Sequence, residues 1–113
     1  VADLTAVEIR DRVLEHLGQK AASQAASAED AVLVDEAIIA AHAKLRGRGL
    51  APFSMSAIPP WAQVPFRDYV AGDVGGCFGL GDSTKPRQVD AEKELRIQVA
   101  IHKPAFTIKA TYY

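Results

Sequence analysis

Apolar residues recur at spacings of three and four over much of this chain, the period of an amphipathic helix. Ile9, Val13 and Leu17 share one stripe, and Val7 and Leu14 add apolar bulk beside it. Thr5 followed by Glu8 is a capping-box pattern ahead of that stripe. Gly18 stands where a stop belongs, so the pattern predicts a first helix over 6–17. Residues 19–27 are small and polar and read as a linker, with alanines that could extend a helix into it. Ser27 then caps a second helix, with Glu29 and Asp30 in the first turn, where the helix dipole favours negative charge. Ala31, Val34, Ile38, Ala41 and Leu45 form its stripe, and Gly47 and Gly49 end it.

The segment 50–60, LAPFSMSAIPP, is an apolar loop, the kind that is pinned onto a core or a partner. Pro59 and Pro60 suit the first turn of a third helix. Trp61, Val64, Phe66, Val70, Val74 and Cys77 supply its apolar side, and Pro65 is early enough to be tolerated or to kink it. Gly72, Gly75, Gly76 and Gly79 fall on one helical face. Each glycine costs about 1 kcal/mol against alanine in a helix interior. Either another helix approaches closely there, or the helix frays near residue 74 into a Gly-rich loop.

Residues 80–87 read as a break. After it, Ala91, Leu95, Val99 and His102 make a helical stripe, while Leu95, Ile97, Val99 and Ile101 alternate as a strand would. The helix formers of 90–95 favour a fourth helix, with Pro86 able to open it; the rival is a hairpin with the tail. Pro104 terminates whatever precedes it. Beyond it, Phe106, Ile108, Ala110 and Tyr112 alternate with Ala105, Thr107, Lys109 and Thr111, and the chain reads as an extended, strand-like arm to Tyr113. No other segment offers that arm a strand partner. Its backbone N–H and C=O groups point to another molecule that pairs with it or receives it. The expected fold class is therefore mainly α: a four-helix bundle-like domain over 1–103 with a C-terminal arm over 104–113.

Composition narrows the chemistry. With 113 residues the chain fits one domain, and 13 basic against 14 acidic residues give a net charge of −1, no overall field for nucleic acid or an anionic membrane. No apolar run approaches the roughly 18 residues of a membrane span. The opening VADLTAVEIRDR is too charged for a signal peptide, and its lack of Met suggests processing or a trimmed start. One cysteine makes no internal disulfide, so a reducing compartment is expected. The run GDVGGCFGLGDSTK lacks the Gly-Lys-Ser/Thr of a phosphate loop, and no strand precedes it. His16, His42 and His102 lie in three separate segments with no recognisable Cys–His arrangement, and Cys77 reads as a small buried apolar residue. His16 and His42 read as helix-end residues facing solvent or the dipole. Lys44, Arg46 and Arg48 read as a solvated helix end, and Asp68, Asp73 and Asp82 as solvent-facing, with Arg67–Asp68 a candidate inter-subunit pair. No histidine or carboxylate pair has metal-ligand spacing. No catalytic, cofactor or metal residue is assigned, and the chain is not expected to be an enzyme.

The order and spacing of these motifs resembles the head-to-tail connector, or adaptor, proteins of tailed bacteriophages. The residues that carry the resemblance are the Leu17-Gly18 close of a short helix and the Ser27–Asp30 opening of a second. With them go the Ile58–Trp61 start of a third that closes near Phe78 and Gly79, a fourth helix, and a tail ending in aromatics. The resemblance implies a helical bundle assembled as a homo-oligomeric ring, commonly a dodecamer, in the virion neck between portal and tail. It implies that the ring seals the DNA channel, docks on the portal protein, carries tail or nozzle proteins, and lets DNA pass without reading its sequence. The arm residues Pro104, Phe106, Ile108, Ala110, Tyr112 and Tyr113 would then hold the partner. Trp61, Gly72, Gly76 and Gly79 would pack between subunits. A small helical protein-binding or regulatory module is the alternative.

Overall fold

The computed structural model describes residues 3–21 and 23–102. The strand-like arm expected over 104–113 lies outside the described residues. Four helices follow one another: α1 (Ala6–His16), α2 (Ala28–Gly47), α3 (Pro60–Val74) and α4 (Gly81–His102), with a 3₁₀ turn at Gly75–Phe78 between the last two. The mainly helical, bundle-like class expected from the pattern is the one observed.

The caps form as their residues dictate. Thr5 Oγ1 accepts from Glu8 N–H at 3.3 Å while the Glu8 carboxylate accepts from Thr5 N–H at 3.1 Å, a complete capping box. Ser27 Oγ accepts from Asp30 N–H at 3.2 Å. Three helical segments close in one way. Gly18, Gly49 and Gly79 take φ values of +72°, +74° and +76°, and the next residue's N–H reaches back five positions. These bonds are Gln19 to Leu14 O, Leu50 to Leu45 O and Leu80 to Gly75 O, each 2.8 Å.

α3 is the centre of the packing. It touches α1, α2 and α4, whereas α4 packs along α3 and the 3₁₀ turn. Phe66, Ile9, Leu14, Ile38, Leu45, Ile58 and Leu95 are the largest side chains that the core buries completely. The apolar loop is pinned as its composition implied: Leu50, Ala51, Phe53 and Ile58 are buried. Ile58 also exchanges both backbone hydrogen bonds with Leu4, at 3.0 and 2.7 Å, a pairing that local pattern did not suggest.

Several expectations are corrected. The break at 80–87 is helix: α4 begins at Gly81, because the Leu80 carbonyl accepts from the backbone N–H groups of Ser83 and Thr84 and from both hydroxyls, at 3.0–3.1 Å. Pro86, like Pro65 in α3, is the sixth residue of its helix and forfeits a single backbone bond there. On α3, Val64 points to solvent, 54% exposed, rather than into the core. Cys77 is exposed, not buried, because the chain leaves α-helical geometry at Gly75 and the 3₁₀ turn rotates it outward.

The competing strand pattern in 95–101 has a geometric explanation. Residues two apart on a helix lie about 200° apart around its axis. Leu95 and Val99 therefore face α3 and are buried, while Ile97 and Ile101 face the opposite way, 55% and 58% exposed. What reads as alternation is a helix with apolar residues on two faces.

Candidate functional site

The α3–α4 pair carries the surface features of the molecule. At its Gly72 end the helices meet through bare backbone. A Cβ placed on Gly72 would overlap Gln88, with Cγ only 2.7 Å away; one placed on Gly75 would overlap Thr84, with Cγ2 at 2.8 Å. Gln88 uses that space to cross to α3. Its Nε2 donates to the Tyr69 carbonyl at 3.0 Å and to Asp73 Oδ1 at 2.7 Å. Lys44 Nζ comes from α2 to within 3.8 Å of the same Asp73 oxygen and stands 5.3 Å from the Tyr69 ring centroid. Arg48, just past α2, pairs with Glu92 on α4.

The opposite end of the pair is open. A cleft of about 600 Å³ lies between the helices. Trp61, Val64 and Pro65 form its α3 wall and Ala91 its α4 wall; Asp68, Asp90, Glu94 and Arg87 supply charge around the apolar surface. Trp61 is held edge-on by Phe53, centroids 5.9 Å apart, and it also meets His102. The Trp61 and His102 rings stack with centroids 4.9 Å apart and planes 13° from parallel. His102, the last described residue, therefore stands at the rim of this cleft.

The glycine face read from the sequence divides in the fold. Gly72 and Gly75 are buried inside the chain against α4, so the close approach they allow is met by the protein's own helix. Gly76 is exposed, with open space for 4 Å around the position a Cβ would take, and Gly79 serves as the left-handed close of the 3₁₀ turn. Trp61 is partly buried. The partner-holding positions Pro104, Phe106, Ile108, Ala110, Tyr112 and Tyr113 lie outside the described residues.

The charged residues are more engaged than their positions suggested. Lys44, Arg46 and Arg48 are exposed as a solvated helix end would be, and from there Lys44 reaches Asp73 on α3 and Arg48 reaches Glu92 on α4. Asp68 and Asp73 are partly shielded and paired, and Arg67 pairs with Asp68 within the chain at 2.9 Å. His42 is half-buried rather than solvated. Its Nε2 donates to the Phe53 carbonyl at 2.8 Å, which fastens the apolar loop to α2. His16 approaches Asp68 at 3.7 Å, yet its pKa is lowered from 6.5: burial and the Arg67 and Arg87 charges outweigh the carboxylate.

Among the described residues no three His, Cys, Asp or Glu gather as a metal site, and no helix is long and apolar enough to cross a membrane. Gln88 is the residue that sequence reasoning missed; a glutamine sixteen positions after a helix glycine leaves no local signal. Searches against protein-family models, curated proteins and solved structures find no match for this chain.

Proposed function

We propose that this protein is a structural adaptor that assembles with copies of itself into a ring below a phage portal, joining capsid to tail and helping to seal the DNA channel. The observation that carries the reading is α4. It buries Ala91, Leu95 and Val99 against its own domain and presents Val89, Ile97 and Ile101, each more than half exposed, on the opposite face. A helix apolar on two faces gains by being covered on both. A second copy of the same domain supplies that cover in a ring. The order of elements in the phage adaptors that the sequence resembles supports the same reading. Portal protein and tail proteins are the proposed axial partners, the arm over 104–113 the proposed portal contact, and the virion neck the proposed location.

Native mass spectrometry of the wild-type chain and of Ile97→Asp tests the ring. Wild type is expected to form rings, alone or on addition of a portal; Ile97→Asp is expected to keep its helical circular dichroism and remain a monomer. A wild-type chain that stays monomeric with portal present, or an Ile97→Asp variant that assembles normally, overturns the proposal. Stoichiometric capture of one non-viral partner by a monomer or dimer would place the chain with small protein-binding modules instead.

A further inference from the structure

No described residue covers the α3–α4 cleft, and three observations identify what fits it. Its wall is apolar where Trp61, Val64, Pro65 and Ala91 meet, and Val64 is 54% exposed there although it is a β-branched residue on a helix that otherwise buries its apolar side. Its charge is net negative: Asp68 is already paired with Arg67, and Asp90 and Glu94 on the α4 side outnumber Arg87. His102, the last described residue, stands at its rim, stacked on Trp61. The residues that follow carry the complementary chemistry. Lys103 and Lys109 are positive, no residue from 103 to 113 is acidic, and Phe106, Ile108 and Ala110 are spaced two apart. In an extended segment that spacing puts all three on one side.

We propose that, in the free protein, the segment 104–113 lies back in the α3–α4 cleft of its own chain, with its apolar side toward Trp61 and Val64 and its lysines toward Asp90 and Glu94. Length permits it. Ten extended residues reach about 33 Å, whereas Trp61 to Asp68 covers about 10 Å of helix. Tethering favours the chain's own segment over a neighbour's: a short connection holds it at an effective concentration of the order of mM. The cleft thereby covers the arm's apolar side chains until a competing partner withdraws it. Docking of the arm in its own cleft does not require a ring, and a monomer would show it equally.

Trp61 is the only tryptophan, so its fluorescence reports on the cleft. The experiment compares acrylamide quenching of the full chain with that of the full chain carrying Phe106→Asp and Ile108→Asp. The double variant is expected to be quenched more strongly and to emit further to the red, with unchanged circular dichroism. Reversing the rim with Asp90→Lys and Glu94→Lys is expected to act in the same direction and to weaken with added salt. In the wild type the protection is expected to be independent of protein concentration well below the mM effective concentration of the tether. Equal quenching in wild type and both variants overturns the proposal. Protection that grows with protein concentration also overturns it, because the segment would then come from another copy.

Discussion

At the Gly72 end of the α3–α4 pair, Gln88 lies against bare backbone and Thr84 against Gly75; at the Trp61 end the same two helices leave about 600 Å³ between them. The closed end lacks side chains on its glycine side only, where Gln88 and Thr84 of α4 fit, and the polar groups around that contact are hydrogen-bonded. The open end carries prolines and a tryptophan on one helix and an alanine on the other. The difference shows how one helix pair combines a rigid joint with a receptive surface: glycines set the distance of approach at one end, and bulky side chains hold a cleft at the other. The joint fixes the direction of α4, and that direction aims its apolar outer face.

The contrast between the two ends breaks most sharply at the joint. Gly72→Val drives a branched side chain into Gln88, and overpacking of this kind costs about 1–3 kcal/mol. The expected outcome is a lower thermal midpoint, by about 4 °C per kcal/mol for a domain of this size. A Gly72→Val protein that melts with the wild type would show that the contact is not close. Next in size is Gln88→Ala, which removes two hydrogen bonds to α3 and is expected to cost about 1–2 kcal/mol in a denaturant titration. Gly72→Ala is expected to be relieved only in part in that background, since Cγ and Cδ of Gln88 are gone while its Cβ, the atom nearest to the new methyl group, remains. The double-mutant cycle should return a coupling of about 0.5–3 kcal/mol; strict additivity would mean that the two residues do not share one joint.

The smallest effect is pH-dependent and belongs to His16, which stands between α1 and the Asp68 side of the cleft. Its folded-state pKa is lowered from 6.5 by burial and by Arg67 and Arg87, against the opposing pull of Asp68. The folded state therefore favours the neutral ring. That contribution is fully present above pH 6.5 and is lost as pH falls through the lowered folded value. His16→Gln is expected to lose less stability than wild type between about pH 7 and about pH 5. An identical slope in the two proteins would mean that His16 titrates as it does in the unfolded chain.

The candidate site was only partly legible in advance. Trp61 marks itself by size and by its place after two prolines, and the glycine spacing allowed either a close approach or a helix that ends near residue 74; the fold has both. The partner in that approach could not be read, because Gln88 is polar and lies on a helix whose start, in the segment LGDSTKPR, looks like a break. The cleft could not be read either: it depends on which faces of α3 and α4 turn toward each other. His42 shows the same limit. A histidine near a helix end is solvated in isolation, and here a loop residue, Phe53, brings its carbonyl within 2.8 Å.

Local chemistry determined what local chemistry can. The Thr5–Glu8 box, the Ser27 cap and the glycine closes are satisfied within a few residues of chain, so the sequence by itself set where α1 and α2 begin and end. Tertiary structure alone decided which of the two apolar faces of residues 95–101 is covered, and that one end of the α3–α4 pair is closed and the other open. The reason is that each of these depends on contacts between residues far apart in the chain: Leu95 and Val99 are buried while Ile97 and Ile101 stay exposed only because the rest of the domain covers one side of α4.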